Sequence, residues 1–159
     1  MIRPIRGDDE DGVTRLHRSL SPETVYARYF YTFQLSERIS HERLGRICHP
    51  APGDETVLVV EKVAPPASDC QIIGVGRLSV SPGSDTGEVA FVVDDICQGQ
   101  GIGSELLRRL LQIARGKKLR RLRARILPAN LMMRRVCSNA GMRLTGALLE
   151  AEMAAEIDL

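Results

Sequence analysis

"VVDDICQGQGIGSELL", residues 92–107, passes from an apolar, β-branched run through a crowded turn into leucines at helical spacing. Three glycines, Gly99, Gly101 and Gly103, fall within five positions. A glycine costs backbone entropy wherever it is fixed, so the cluster implies that something lies too close to this backbone for a side chain. A strand that enters such a turn and leaves as a helix aims several unpaired N–H groups, with the positive end of the helix dipole, at one point. The stretch therefore reads as an anion site.

The residues between the glycines discriminate among phosphate-binding loops. A P-loop needs a lysine after its last glycine, and no lysine occurs between Lys62 and Lys117. The dinucleotide fingerprint GxGxxG fails because, after Gly99 and Gly101, the third glycine stands at 103 rather than 104. Near residue 120, where a ribose-binding acid is wanted, there are arginines. What remains is Gln98-Gly99-Gln100-Gly101-Ile102-Gly103, the spacing Q-x-x-G-x-G. The same six residues also suit a tight structural turn between a strand and a helix.

Working outward, GEVAFVV supplies the strand before the turn. Leu106, Leu107, Leu110, Leu111 and Ala114 supply one buried stripe on the helix after it. Upstream, VLVVEKV and QIIGVGRLSVS, rich in β-branched residues and separated by the breaker APPASD, predict a hairpin. The first third is mostly helical: an acid-rich start at Asp8–Asp11 with Val13, Leu16 and Leu20 in helical register, then Ser21 as N-cap with Pro22 behind it. A third helix follows, capped by Ser40, with Leu44 and Ile47 on one face. IRPI predicts a short first strand, RLRARIL and MAAEIDL later ones, and residues 130–139 a helix ended by Ala140-Gly141. The order predicts an α/β (α+β) layer fold with a mixed sheet covered by helices.

At 159 residues, 43% hydrophobic and 26% charged, the chain is expected to form one domain over residues 1–159, and a formal charge of +2 says little about partners. MIRPIRGDDEDG lacks the apolar run of a signal peptide, and VLVV and AFVV are too short to span a bilayer, so a soluble, cytoplasmic protein without membrane association is expected. Cys48, Cys70, Cys97 and Cys137 form no CxxC pair and no Cys/His ligand spacing. Reduced thiols are expected, with neither a disulfide framework nor a metal site.

With its strand before and helix after, the Q-x-x-G-x-G turn resembles the acyl-coenzyme A pyrophosphate loop of the GNAT acetyltransferase superfamily. GEVAFVV places Glu88 ten residues before Gln98, where the family carries a glutamate, and Asn130 precedes Gly141-Met142 at the interval of the family's last motif, which ends in Gly-Phe. Order and spacing agree across residues 71–142. LSPETVYARYF and LSERISHERL are similar to the N-terminal segment of the bacterial protein-lysine acetyltransferase branch, which is often fused to another domain; no such partner domain is read in this chain.

The resemblance implies a twisted, mostly antiparallel sheet of six to seven strands with four to five helices. It implies acetyl-CoA as acyl donor, bound by Gln98, Gly99, Gln100, Gly101, Ile102, Gly103, Ser104 and Asn130. It also implies that GEVAFVV parts from RLRARIL, so that backbone at Val92 and Val93 meets the pantetheine arm and steadies the oxyanion. A lysine amine is almost wholly protonated at neutral pH, so a base is needed. Glu88, the one acid in an apolar strand, is the candidate; partial burial would tune it for proton transfer, while a strand-end acid pointing to solvent is the plainer reading. Asp94 and Asp95 read as loop or capping residues. Cys137 stands where the family usually carries the tyrosine that protonates the departing thiolate; a buried apolar residue is the plainer reading.

RGKKLRRLRAR holds seven basic residues in eleven, yet no aromatic residue is interleaved for stacking, so no nucleic-acid partner is expected. Arg121, Arg123 and Arg125 share one strand face. The lysine-acetylating branch commonly has an acid at the place of Arg125, so an Arg125 that faced the acceptor would favour an amine bearing a carboxylate or phosphate. The expected function is transfer of acetyl from acetyl-CoA to an amine, with a protein lysine as the favoured acceptor. A small-molecule amine, or a non-catalytic acyl-CoA-binding module, is the alternative. Oligomeric state is left open.

Overall fold

The computed structural model describes residues 1–64, 69–146 and 151–159. Its strands are β1 (Ile2–Pro4), β2 (Glu55–Ala64), β3 (Asp69–Val80), β4 (Thr86–Val93), β5 (Arg121–Ile126), β6 (Arg143–Thr145) and β7 (Met153–Asp158). Its helices are α1 (Glu10–Ser19), α2 (Pro22–Tyr29), the single turn α3 (Leu35–Arg38), α4 (His41–Cys48), α5 (Ile102–Gly116) and α6 (Leu131–Asn139). The strands form one sheet in the order β1-β2-β3-β4-β5-β7-β6, antiparallel throughout except where β4 meets β5. This is the mixed sheet that the order of elements predicts and the mostly antiparallel one that the resemblance implies.

Alternation along the strands divides the core into two layers. Val57, Val59, Ile72, Val75 and Val92 pack against α1, α2 and α4 through residues such as Val13, Leu16, Val25 and Leu44. Leu58, Val60, Leu78, Val89 and Val93 face the other way and receive the leucine stripe of α5 with Cys137 and Met142. Leu106, Leu107, Leu110 and Ala114 are fully enclosed, as their spacing predicts. Ser21 caps α2 by accepting the Thr24 N–H at 3.2 Å. Ser40 stands at the N-cap of α4 but its side chain makes no capping bond. The breaker APPASD falls mainly on residues 65–68, outside the described residues. β6 went unread because three residues carry too few alternations to signal a strand.

At the sheet edge Arg3 ties β1 to the start of α1 and to β2. Its guanidinium donates to both oxygens of Asp9 at 2.7 Å and through Nε to Glu61 at 2.8 Å, with all three side chains nearly enclosed. The Arg3 hydrogen bond holds the Asp9 carboxyl below the ordinary carboxylate range. That contribution is complete above the unfolded-state value of about 3.9 and is lost as pH falls through the lower folded value. Asp9→Asn is therefore expected to lower the unfolding free energy by about 1–3 kcal/mol at pH 7. In urea titrations the gap to wild type should close as the pH drops below about 4; a gap that persists at pH 2 would exclude the ion pair as its source.

Candidate active site

The central feature is a strand pair that separates. β4 and β5 run parallel and are paired from Thr86↔Arg121 to Val89↔Ala124, and there the ladder stops. Beyond it β5 continues on β7 through Arg125 and Ile126, while β4 continues on β3 through Val93. A cleft of about 950 Å³ opens at the fork, between α2 on one side and α6 on the other, and runs to the glycine turn.

The Asp94 N–H donates to Ile73 O on β3 at 2.9 Å. Strand alternation therefore turns Val92 toward β3 and aims the N–H groups of Phe91 and Val93 at the fork. Both Val92 and Val93 line the cleft; the Val93 N–H is turned to the fork, while the Val92 N–H is turned to β3 and its enclosed side chain packs in the core.

The turn answers the question posed by its glycines in two ways. Gly99 and Gly101 adopt φ of 73° and 82°, a left-handed backbone that β-carbons disfavour, and a Cβ at either would meet nothing within 4 Å. Their expected crowding is not found; conformation demands them, and the space above them is open. Gly103 is the crowded one, since a Cβ there would stand 3.1 Å from the Phe91 ring. The backbone N–H groups of Gly99, Gln100, Gly101, Ile102, Gly103 and Ser104 find no acceptor among the described residues. Six donors thus converge at the N-terminus of a fifteen-residue helix.

Polar side chains brace this turn from behind. Gln98 Nε2 donates to Val93 O at 3.1 Å and to Thr24 Oγ1 at 3.3 Å, so its side chain ties the turn to β4 and α2. Gln100 reaches back to Ile96 O at 3.3 Å. Asp95 accepts from the Ser21 N–H (3.0 Å), Ser21 Oγ (2.8 Å) and Thr24 Oγ1 (2.6 Å). Asp94 caps its own 3-10 turn through the Ile96 N–H and accepts from Ser19 Oγ at 2.6 Å. Both aspartates are structural, as the sequence predicts. The bracing by Ser19, Ser21 and Thr24 was not readable, because it joins segments about seventy residues apart.

Glu88 stands on the cleft wall, beside Arg28 of α2 and Arg125 of β5. The partial burial expected of it is not found: its side chain is exposed. Asn130 lines the far wall, and its Oδ1 accepts the Met133 N–H at 3.0 Å, capping α6. Cys137 faces the core, fully enclosed, and burial pushes its thiol up to about 12. A thiol so placed and so weakly acidic is no proton donor for the cleft. Burial likewise pushes Cys48 up to about 11.

The arginine stripe of β5 is matched by acids on β7 and just before it. Arg121 pairs with Asp158 at 2.9 Å, Arg123 with Glu156 at 3.5 Å, and Arg125 grips both oxygens of Glu152 at 2.6 and 2.8 Å while lying 4.7 Å from the Phe30 ring centre. Arg125 does reach the cleft, but its charge is already answered by Glu152.

The family model described as the acetyltransferase (GNAT) domain matches residues 1–143. Acetyltransferase Pat of Mycolicibacterium smegmatis is 29% identical over 142 residues, which cover 88% of this chain and 40% of that protein. The chain thus spans about two fifths of the length of the curated relative it matches. The GNAT domain of S. lividans PAT superposes with a TM-score of 0.84 at 28% identity, over 99% of this chain and 89% of that one. PaiA N-acetyltransferase from Thermoplasma acidophilum, solved in complex with coenzyme A, shares the fold at 15% identity, with a TM-score of 0.76 over 100% of this chain and 98% of that one.

Gly101→Ala is expected to destabilise the fold by about 1–2 kcal/mol through left-handed strain alone. Gly116→Ala, at the end of α5 with equal open space and no positive φ, should be neutral or stabilising in the same denaturation assay. Equal losses at the two positions would contradict the conformational account.

Proposed function

Because this chain belongs to the GNAT acetyltransferase family, and is an acyltransferase by that membership, we propose that it carries acetyl from acetyl-CoA directly to an amine, and that the amine is a protein lysine. The observation that carries the first part is the run of unanswered amides at Gly99–Ser104, of whose residues all but Gln100 line the open cleft. Such a set suits a diphosphate, and the separated strands beyond it suit an extended pantetheine arm. Coenzyme A bound to PaiA of the same fold supports this reading. Lysine as acceptor rests on the resemblance of LSPETVYARYF and LSERISHERL to the N-terminal segment of the protein-lysine acetyltransferase branch.

The chemistry assigns work to few groups. An ammonium acceptor entering beside Glu88 gives its proton to that carboxylate, directly or through water. The freed amine attacks the thioester carbonyl, and the oxyanion that forms accepts the Val93 N–H, which is turned to the fork. The intermediate then collapses, breaking the carbon–sulfur bond and releasing coenzyme A as thiolate, and the second proton on the attacking nitrogen passes to solvent water, from which the thiolate is protonated. A thiolate is a tolerable leaving group, so the cleft needs no dedicated acid, which accords with the enclosure of Cys137. Exposure of Glu88 lets it exchange the proton with solvent after each turnover.

In a melting scan, acetyl-CoA and coenzyme A should each stabilise the protein, by about 2.7 kcal/mol at a hundred times the dissociation constant, whereas NAD and ATP should not. Glu88→Gln should lower kcat, followed as thiol release, by about 10²–10⁴-fold and leave acetyl-CoA binding unchanged by calorimetry. A wild-type protein that binds acetyl-CoA but transfers to no amine would be an acyl-CoA-binding module. Transfer to free amines and not to peptide lysine would assign it a small-molecule acceptor.

A further inference from the structure

The acceptor end of the cleft holds a cation that the proposed reaction does not use. Arg28, on the last turn of α2, lines the cleft half-buried beside Glu88. Among the described residues its guanidinium makes no hydrogen bond and no ion pair. The contrast with neighbouring arginines is direct, since Arg77 is paired with Glu55 and Arg125 with Glu152. Desolvation lowers the Arg28 pKa from its ordinary value, with further lowering from Arg77 and Arg43 and partial offset from Tyr29 and Glu88.

Arg28 is also held in place. Its Cζ lies 4.7 Å from the Tyr29 ring centre, and Arg43 lies 4.6 Å from the same ring. That ring is fixed from below by His17, which is fully enclosed and whose pKa burial lowers to about 4. A neutral His17 must donate from Nδ1 to Val13 O (2.9 Å), so its Nε2 accepts the Tyr29 O–H (2.9 Å). Tyr29 in turn meets Phe33 edge-on at 5.3 Å. The guanidinium is thus carried on a rigid aromatic mount rather than on a free surface side chain.

We propose that Arg28 is a specificity residue that binds a carboxylate of the acceptor, so that the enzyme selects a lysine flanked by an acidic residue. This rests on the acetyl-transfer reading above. A guanidinium fork matches a planar carboxylate. Glu88, near Arg28 but not in direct contact with it, disfavours a dianionic phosphate, and the ion pair made by Arg125 leaves Arg28 as the cation on this wall that no carboxylate directly contacts among the described residues. A free amino acid would offer the same group as its α-carboxylate, and the acceptor panel separates the two sources.

The test compares lysine peptides carrying Glu, Gln or Lys immediately beside the acceptor, together with free amino acids, on wild type, Arg28→Gln, Arg28→Lys and Arg28→Glu. Wild type should favour the acid-flanked peptide over the neutral one by roughly 10- to 100-fold in kcat/KM, the range of one hydrogen-bonded charge. Arg28→Gln should bring the ratio near one, Arg28→Lys should retain part of it, and Arg28→Glu should reverse it. Peptide affinity with coenzyme A bound, measured by calorimetry, gives a readout independent of transfer. Arg28-dependent discrimination in binding without any transfer would sustain the Arg28 assignment and overturn the acetyltransferase reading. Transfer at ratios unaffected by Arg28 would do the opposite, and a preference confined to free amino acids would overturn the peptide acceptor.

Discussion

Everything at the site depends on one interruption, the end of the β4–β5 ladder at Val89↔Ala124. A parallel pair inside a sheet normally satisfies its backbone along its whole length. Here the two strands instead take different partners, β3 and β7, and the edge of β4 beyond Val89 is left facing a cleft. The fork opens a cleft, turns a main-chain donor at Val93 toward it, and brings α2 and α6 to opposite walls of the same space. None of these needs a catalytic side chain in the fork itself.

The turn that closes the cleft is rigid because its two faces have different tasks. On the inner face Gln98, Asp94 and Asp95 spend their polar groups on Val93, Ser19, Ser21 and Thr24, which locks the turn onto β4 and the α1–α2 junction. On the outer face the amides of Gly99–Ser104 are spent on nothing within the described protein. The bracing keeps those donors pointed outward before any ligand arrives, which reduces the ordering cost of binding. α2 takes part twice, anchoring the turn through Thr24 and carrying Arg28 on the cleft wall. In the proposed reaction one eight-residue helix thereby serves both the donor and the acceptor end.

Local signals were readable where a single segment decides its own structure. The leucine stripe of α5, the Ser21 cap and the β-branched runs of β2–β4 each follow from periodicity and capping chemistry, and the resemblance in the Gly99–Gly103 spacing and at Glu88 pointed to the family. Properties that depend on distant partners were not readable. The arginines of β5 looked anomalous only because Glu152, Glu156 and Asp158 lie about thirty residues away in the chain. Arg28 carried no signal at all, being one arginine in a helix, and its importance comes from what fails to pair with it. The glycines show the same limit: sequence marks the positions but does not separate left-handed backbone at 99 and 101 from contact with Phe91 at 103.

In the proposed reaction, bare main-chain amides of the turn hold the diphosphate of a thioester carrier whose arm lies in the fork. A crystal structure of the complex with coenzyme A is the decisive test. Diphosphate oxygens are expected at about 3 Å from several of the Gly99–Ser104 nitrogens, with pantetheine beside Val93. Coenzyme A bound elsewhere, or in the cleft with those nitrogens bonded only to protein, would contradict it.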